Sequence, residues 1–416
     1  MKVLILNQFF YPDISATSQL MTDLAEDLTD FGAEVTAVCC RTTYNKGGDL
    51  PAEEVYKGIR IVRARSTKFN RESFVKRAVS YLSFYVFSFF RMIRLARPDV
   101  IIVLTTPPLI AAVACAIKTF TGCKVIYLVQ DLYPDVAIRL GVLKEKSLLT
   151  RLLGRVSTGT LTRSDAIIAL GDCMRKKIES KARVSEKIHV IPNWADGTQI
   201  VLTERATNPI LKELSLQNKF VVYYSGNMGK AHEFDTILQV ASDLSDCRDI
   251  AFVFVGEGPK RDIIARFIRD NPGSNVILLP YRSRDELSVS LGAADVSLVS
   301  LADSMEGLVV PSKVYGVMAA GRPVVFIGPG GSEAAKAIAE AECGYVLENG
   351  DASGLKNALL QLKDNVELAR HMGTNSRMSF ERNFNRRLIT RRYFDLIKQV
   401  VEKRSGALPS NSYVAG

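Results

Sequence analysis

Residues 100–129 read VIIVLTTPPLIAAVACAIKTFTGCKVIYLV, and the fold class follows from this stretch. Two continuous apolar runs, VIIVLT at 100–105 and KVIYLV at 124–129, enclose a segment long enough for a helix. Apolar runs without polar alternation are typical of parallel strands that helices cover on both faces. The stretch therefore predicts an α/β fold with a Rossmann-like sheet.

The same pattern occurs in two separate series along the chain. The first series also includes VLILN at 3–7, EVTAVCC at 34–40 and AIIAL at 166–170. The second consists of FVVYYSG at 220–226, AFVFVG at 251–256, NVILLP at 275–280, VSLVSL at 296–301 and PVVFIG at 323–328. Because 416 residues favour two domains of roughly 200 residues each, we predict two Rossmann-like domains facing each other across a cleft.

Turn-forming residues between the two series mark the domain boundary. We expect an N-terminal domain over 1–193, a connection over 194–218 and a C-terminal domain over 219–387. A helical pattern over 388–404 follows the complete second domain and is expected to pack back on the junction. The small, polar tail 405–416 is expected to be flexible.

The composition limits the compartment and the partners. The N-terminal run MKVLILNQFF lacks a small-residue cleavage site and is interpreted as a buried strand, which predicts a cytoplasmic protein. Seven cysteines without a CxxC pair indicate reduced thiols. Three scattered histidines and no Asp-x-Asp pair predict no metal site and no cofactor.

The net charge of +10 is compatible with three kinds of partner, namely nucleic acid, an anionic membrane surface or a phosphorylated substrate. No nucleic-acid-binding motif supports the first of these.

A glycine-containing turn after the first strand of the second series is a candidate phosphate site. Glycines at such a turn let backbone N–H groups approach an anion, although plain turn geometry explains the same residues. The turn consists of Gly226, Asn227, Met228 and Gly229.

Two further turns of the second series carry candidate ligand contacts. Lys260 and Arg261 begin a helix after VFVGEGP, where the plain interpretation is that both bases are solvated. Tyr281 and Arg282 directly follow a strand, at the end where open parallel sheets bind ligands.

Eight motifs in a fixed order give the chain a family resemblance. They are NQFFYPD, QDLYPD, IPNWAD, GNMG, GEGPKR, PYRSRDEL, EGLVVPSK and MAAGRPVV. In this order and spacing the chain resembles the GT-B glycosyltransferases of family 4, retaining enzymes that take a sugar from a nucleotide diphosphate. It is most similar to the bacterial branch that builds O-antigen, capsule and exopolysaccharide on lipid carriers.

The resemblance implies roles for the segment EGLVVPSK in binding the donor. Glu306 would be the first of the family's paired glutamates and would contact hydroxyls of the donor sugar, unless it is an ordinary loop carboxylate. The second glutamate would fall at Gly316, so this sequence departs from the family there and ribose binding loses that carboxylate. The backbone that would approach the sugar and diphosphate, together with the turn after it, comprises Gly307, Leu308, Val309, Val310, Pro311 and Ser312.

The resemblance also implies a cation for the leaving diphosphate. Many relatives carry Arg and Lys five residues apart after the first strand of this domain, where this chain has Asn227 and His232. The charge would then fall on backbone amides of the turn and on Lys313, because the departing diphosphate gains negative charge that needs stabilisation.

On the N-terminal side, Asp131 and Asp135 follow the buried strand KVIYLV. Relatives place a His or Asp near Asp131, close to the acceptor hydroxyl. All three histidines lie at the connection or beyond it, so an imidazole base from the first domain is excluded. Because the leaving diphosphate is thought to accept the proton in retaining members, Asp131 is expected to orient the acceptor. The alternative is that Asp131 caps a turn and Asp135 begins a helix.

The first loop supplies the remaining acceptor-side candidates. It follows the first strand and resembles the family's first loop, where glycine is common, and the small residues that stand there instead would still permit a close approach to the diphosphate. The candidates are Phe10, Tyr11, Ser15, Ala16, Thr17 and Ser18.

The stretch 74–98 combines aromatic residues with flanking arginines. Its uncharged core between Arg77 and Arg91 is shorter than the roughly 20 residues that span a bilayer. It is interpreted either as a helix in the headgroup layer of an anionic membrane or as a helix packed on the sheet.

These observations predict a glycosyltransferase on the inner face of the cytoplasmic membrane. Its donor would be a nucleotide sugar, a UDP-sugar in the first instance, and its acceptor a lipid-linked saccharide. The rival hypotheses are a nucleotide-sugar epimerase of similar fold and a scaffold subunit without turnover.

Overall fold

The computed structural model describes residues 1–43, 50–67 and 74–403, and the predicted tail 405–416 lies outside them. These residues form two separate sheets, each with helices on both faces. The predicted fold class, two Rossmann-like domains of α/β type, is confirmed.

The first sheet contains eight strands in the order β3-β4-β2-β1-β5-β6-β7-β8. The strands are β1 (Lys2–Leu6), β2 (Glu34–Cys40), β3 (Glu53–Tyr56), β4 (Ile59–Ala64), β5 (Val100–Val103), β6 (Lys124–Val129), β7 (Ala166–Ala169) and β8 (Ile188–Val190). Only β3 runs antiparallel, paired with β4 through a tight hairpin. The prediction of a parallel sheet is therefore corrected at this edge, where the charged, partly exposed EEVY strand lacks the apolar run of a central strand.

The helices of the first domain lie on opposite faces of this sheet. They are α1 (Ala16–Asp30), α2 (Phe74–Ile93), α3 (Ala111–Thr121), α4 (Asp135–Arg139), α5 (Leu148–Arg163) and α6 (Asp172–Glu179). The connection through α1 moves along the sheet in one direction, whereas those through α2, α3 and α5 move in the other. Because such crossovers are right-handed, α2, α3 and α5 share one face and α1 covers the other.

The second sheet is parallel throughout, in the order β11-β10-β9-β12-β13-β14. Its strands are β9 (Phe220–Ser225), β10 (Ile250–Val255), β11 (Val276–Leu279), β12 (Val296–Ser300), β13 (Val324–Ile327) and β14 (Gly344–Leu347). Its helices are α8 (Asp235–Asp243), α9 (Arg261–Asp270), α10 (Leu287–Gly292), α11 (Lys313–Ala319), α12 (Glu333–Glu340), α13 (Ala352–Asp364) and α14 (Val366–Asn383). The short helix α7 (Pro209–Glu213) precedes them, within the connection.

Both sheets reverse their strand order at one point, and this places the cleft. The reversal lies between β1 and β5 in the first sheet and between β9 and β12 in the second. Ligands of open α/β sheets bind outside the carboxyl ends of the strands at such points. The loops after these four strands are therefore the expected location of a ligand-binding site.

The last helix, α15 (Arg386–Glu402), returns to the first domain after α14. Its apolar residues, among them Ile389, Tyr393 and Ile397, belong to the core of the first domain. At its start the Arg386 guanidinium bonds Asp23 and Asp27 of α1. The same guanidinium also bonds Asp196 of the connection, so one buried ion cluster joins helix, domain and connection.

Candidate active site

Lys313 lies at the carboxyl end of β9 and faces the glycine turn that follows this strand. Its Nζ is 3.9 Å from the centre of the Tyr224 ring. The amine hydrogen-bonds the Tyr224 hydroxyl and donates to the carbonyl of Asn227 at 3.3 Å. Its Cε lies 3.5 Å from the position a Cβ would take at Gly226, where φ is +126°. The structure thus brings the predicted cation and the predicted turn together.

Burial affects the charge of this cluster. Desolvation lowers the pKa of Lys313 well below its usual value. It raises the pKa of Tyr224, and the neighbouring Tyr281 raises it further. An anion that entered here would reverse the effect on Lys313, because a nearby opposite charge favours the ammonium form.

His232 belongs to the same cluster but does not supply a charge. Desolvation, with a smaller contribution from Lys313, lowers its pKa to about 3, so the ring is neutral near pH 7. Its Nδ1 lies 2.6 Å from the carbonyl oxygen of Ser300. In the neutral ring Nδ1 then carries the proton and Nε2 is an acceptor. Lys260 donates to the carbonyl of His232, which adds a second lysine next to the turn.

Two glycines of the turn that follows β10 pack directly against the Gly226 turn. A Cβ at Gly256 would lie 2.0 Å from the carbonyl oxygen of Gly226, and one at Gly258 would lie 2.6 Å from that of Met228. The Met228 N–H donates to the carbonyl of Glu257 at 2.8 Å. Side chains at either glycine would push the Gly226 turn out of place.

Two predicted donor contacts are engaged elsewhere. Arg282 forms ion pairs with Glu213 at 2.8 Å and with Glu286 at 3.5 Å. Arg261 pairs with Glu257 at 3.4 Å. Both guanidiniums therefore have carboxylate partners within the second domain, and their contact with a donor stays a prediction. Tyr281 remains 40% exposed beside Tyr224.

The segment after Glu306 crosses from the second domain into the first. Leu308 is buried in the core of the first domain, and its carbonyl accepts from the Leu132 N–H at 3.0 Å. Val309 forms an antiparallel bridge with Asp131. The Leu308 carbonyl, part of the backbone expected to approach the donor, thus accepts a hydrogen bond from the first domain. We call this contact, formed by 131–132 and 308–309, the cleft bridge.

Glu306 and Gly316 take positions that sequence reasoning did not anticipate. The Oε1 of Glu306 lies 2.3 Å from the position a Cβ would take at Gly331. A Cβ at Gly316 would point to the side chains of Leu291 and Ile200, at 3.6 and 3.8 Å. Position 316 thus faces an apolar cluster, and Lys313 faces the Gly226 turn.

Asp131 is placed at the cleft bridge, at the carboxyl end of β6. Its backbone N–H donates to the Thr105 hydroxyl, which follows β5 at the reversal of the first sheet. Desolvation raises the pKa of its carboxyl to about 6. Asp135 is instead paired with Lys181 at 2.6 Å, so the structure gives the two aspartates different surroundings.

The first loop follows β1 at the same reversal. Phe10 is buried, and the ring of Tyr11 stacks on Tyr56 with centroids 3.6 Å apart. Helix α1 begins at Ala16, which places Thr17 and Ser18 in its first turn. The hydroxyls of Ser15 and Ser18 are buried without a hydrogen-bond partner among the described residues.

A second contact between the domains was missed by sequence reasoning. The Cys173 N–H, at the start of α6, donates to Oε1 of Glu333 at 2.6 Å. A Cβ at Gly171 would lie 2.0 Å from Cδ of Glu333, so only glycine leaves room for this carboxylate. The Ser332-Glu333 pair is a helix-start signal. This signal does not reveal that the Glu333 carboxylate accepts a hydrogen bond from α6 of the first domain.

Within the described part of the chain, no group of three His, Cys, Asp or Glu side chains is arranged to hold a metal ion. All seven cysteines are unpaired, and five of them are buried.

Comparison with known proteins identifies the family of this chain. Residues 17–194 match the model of the glycosyl transferase 4-like domain, and residues 219–365 match that of the glycosyl transferases group 1. The protein named as glycosyltransferase WbjE of Pseudomonas aeruginosa is 28% identical over 261 residues, which are 63% of this chain and 65% of WbjE. This match spans just under two thirds of the length of WbjE.

A second relative and a solved structure extend the match over most of the chain. WcaI of Escherichia coli (strain K12), named as a colanic acid biosynthesis glycosyl transferase, is 23% identical over 77% of this chain and 82% of its own length. The structure of Anabaena Alr3699/HepE in complex with UDP-glucose superposes with a TM-score of 0.70 at 15% identity and covers 98% of this chain and 100% of that one. One family match falls on each sheet, and from these findings the chain belongs to the family 4 glycosyltransferases of GT-B fold.

Proposed function

We propose that this protein is a retaining glycosyltransferase that moves a sugar from a UDP-sugar to a lipid-linked saccharide in the synthesis of a surface polysaccharide. The observation that carries the proposal is the cluster of Lys313 and the Gly226 turn at the carboxyl end of β9. The UDP-glucose complex of the similar Anabaena protein supports a uridine nucleotide donor. The names of WbjE and WcaI support a biosynthetic transfer.

In this proposal the second domain binds the donor diphosphate. Backbone amides of the Gly226 turn and the ammonium of Lys313 stabilise the charge that grows as the bond between the sugar carbon and the diphosphate oxygen breaks. His232 is neutral, so it offers Nε2 as a hydrogen-bond acceptor and contributes no cation. Lys313 and the amides supply the positive charge without requiring a metal ion.

The first domain then presents the acceptor. The acceptor hydroxyl attacks the sugar carbon on the face that the diphosphate leaves, and the departing diphosphate oxygen takes the hydroxyl proton. Asp131 orients that hydroxyl as a hydrogen-bond acceptor. The cleft bridge fixes the distance between the two parts, because Asp131 and Val309 share it.

A donor panel tests this function. Purified protein is incubated with radiolabelled nucleotide sugars and membranes that contain lipid-linked saccharides. Label in the lipid fraction supports transfer, and a changed free donor would show an epimerase instead. Binding of UDP without turnover of any donor would show a scaffold subunit.

Replacing Asp131 by Asn is expected to lower the transfer rate about ten- to a hundredfold, the value of a hydrogen bond to a charged group. The carboxyl pKa of about 6 predicts that the wild-type rate rises with pH through that value as the carboxylate forms. The transfer rate of the Asn variant should not show this rise with pH. UDP affinity measured by calorimetry should not change, and a collapse of UDP binding would contradict the acceptor-side assignment.

The location proposed for the enzyme is the inner face of the cytoplasmic membrane. None of the helices in the described ranges is long and apolar enough to cross a bilayer. Helix α2 turns Phe84, Ser88 and Met92 toward the core. Its opposite face exposes an apolar stripe made of Val79, Leu82, Val86, Phe90 and Ile93.

This geometry is compatible with both interpretations of α2, since one face packs on the sheet and the other is exposed in the described part of the chain. Exposed Lys76 and Arg77 lie near one end of the helix, and exposed Arg94 and Arg97 follow the other. We propose that this stripe, the α2 ridge, lies among anionic headgroups, with the bases on the lipid phosphates.

A further inference from the structure

Helix α5 has an inverted distribution of polar and apolar residues. The side chains it buries include Thr150, Ser157 and Thr160. It exposes Leu148 by 82% and Leu152 by 55%. Leucine is usually buried and threonine usually exposed, so the exposed leucines are not explained by packing of the domain.

The exposed leucines of α5 alternate with bases. Leu148, Arg151, Leu152 and Arg155 follow the spacing i, i+3, i+4 and i+7, which places them on one side of the helix. All four are exposed. The adjoining Leu149 is also exposed, by 46%. We call this side of the helix the α5 ridge.

The loop that leads into α5 has the same character. Val142 is 44% exposed, and Lys144 and Lys146 are exposed beside it. Between Arg139 and Arg155 the chain carries five bases and a single acidic residue, Glu145. The ridge and its loop therefore form an apolar surface with strong positive charge.

The α5 ridge and the α2 ridge lie on the same face of the first sheet. Helix α3 separates them and packs against both α2 and α5. The end of α3 exposes Phe120 by 73%, and its ring contacts Phe89 of α2 edge-on. One outer face thus carries exposed apolar side chains on three neighbouring helices.

The segment that carries Asp131 packs beneath the helices that carry the two ridges. The carbonyl of Tyr133 accepts from Ser157 of α5 at 2.8 Å. Ser157 is buried, on the side of α5 opposite to Leu148 and Leu152. Burial raises the pKa of Tyr133, and Tyr85 of α2 raises it further, so α2 also lies near this segment. The two ridges therefore belong to helices that flank the segment proposed to orient the acceptor.

We propose that the α5 ridge is a second contact with the anionic bilayer and that it acts together with the α2 ridge to hold the first domain, which carries the Asp131 segment, against the lipid surface. The inference rests on the proposed function for the identity of the acceptor. The inference is otherwise based on the exposed side chains of the α5 ridge. Exposed leucines interleaved with arginines suit the interface between acyl chains and phosphate headgroups, where both kinds of side chain are satisfied.

Vesicle flotation tests the proposal with the full chain. The wild type is mixed with vesicles of phosphatidylglycerol and phosphatidylcholine, and with vesicles of phosphatidylcholine alone. The test variant carries Leu148→Glu, Leu149→Glu and Leu152→Glu. The control is Val366→Glu, because Val366 is 63% exposed at the first position of α14 in the second domain. Leu148 and Leu149 lie in the first turn of α5, as Val366 does in α14, and glutamates are favourable there. Leu152 follows in the second turn and is 55% exposed, so neither variant should unfold.

The α5 variant is expected to lose at least about tenfold in affinity for the anionic vesicles, since two or more leucines leave the lipid. The control should bind as the wild type does. A variant with Leu82→Glu and Phe90→Glu in the α2 ridge should show a similar loss. Wild-type affinity in the α5 variant, or equal wild-type binding to both kinds of vesicle, would overturn the proposal.

Calorimetry with UDP separates this inference from the proposed function. UDP binding by the α5 variant at wild-type strength shows that the second domain is intact and makes the vesicle result decisive. Absence of UDP binding by the wild type would reject the proposed function and leave the vesicle measurement standing. Loss of UDP binding in the α5 variant alone would overturn the inference, because the ridge would then act on the fold.

Discussion

Lys313→Met is expected to lower the transfer rate about 10²- to 10³-fold, the effect of removing one donor that stabilises a developing anion. Lys313 is the cation that hydrogen-bonds Tyr224 and Asn227 at the proposed diphosphate site. Methionine keeps most of the length and the apolar stem of the side chain and removes the ammonium group, with its charge and its hydrogen-bond donors. The rate is measured with saturating donor and acceptor so that the loss appears in kcat.

The fold should tolerate this substitution. Burial opposes the charge of Lys313 and lowers its pKa, so an apolar group of similar volume costs little stability. Between the lowered pKa and the usual value near 10.5, the unfolded chain binds more protons, so wild-type stability rises with pH. The Met variant should lack this rise in urea unfolding.

A lysine of the same domain provides the control for Lys313. Lys363 pairs with Asp249 before β10, at the opposite end of the sheet from the Gly226 turn. Lys363→Met should leave kcat unchanged. Equal rates in the Lys313 variant and the wild type would show that the diphosphate is stabilised elsewhere.

Arg386→Ala is expected to reduce the free energy of unfolding by about 3–5 kcal/mol, the cost of leaving buried carboxylates without their partner. The Arg386 side chain is 12% exposed and forms ion pairs with Asp23, Asp27 and Asp196. A further pair connects it to Glu26 at 3.0 Å. The negative charges gathered at this point would repel one another once the guanidinium is removed.

The next residue offers a matched control on the same helix. Arg387 pairs with Asp27 and Asp30, but its side chain is 57% exposed. Arg387→Ala should cost less than about 1 kcal/mol, as exposed ion pairs do. Urea unfolding can be followed through Trp194, the single tryptophan, whose ring meets Tyr393 of α15 edge-on. Equal losses in the two variants would contradict a special role for the buried cluster.

The cluster around Arg386 also includes a contact from the second domain. Arg284 donates to the same Asp23 at 2.9 Å. The α1 helix is thereby held by the returning α15 and by the segment that follows Tyr281 and Arg282. These charged contacts near the connection join the two domains in addition to the cleft bridge and the contact between Cys173 and Glu333.

Local properties of the chain were sufficient for the fold and for part of the site. Continuous apolar runs predict buried parallel strands because a strand covered on both faces must be apolar on both, and this holds for β5, β6, β9 and β10. The single antiparallel strand β3 escaped the prediction since its half-exposed side chains follow no such pattern. The Gly226 turn and Asp131 were predicted from their positions after strands, and Lys313 from the family resemblance.

The sequence by itself determined the two Rossmann-like domains, the family and the residues that follow the strand ends, because strand burial, turn chemistry and motif spacing are all short-range properties. Only the tertiary structure decided which side chains meet. It paired Arg282 with Glu213, placed Leu308 in the core of the other domain and set Glu333 against Gly171. It also showed that α5 buries Thr150 and Thr160 while it exposes the leucines at its start. These contacts join residues far apart in the chain, so they depend on how the helices and domains pack and leave no periodic trace in the sequence.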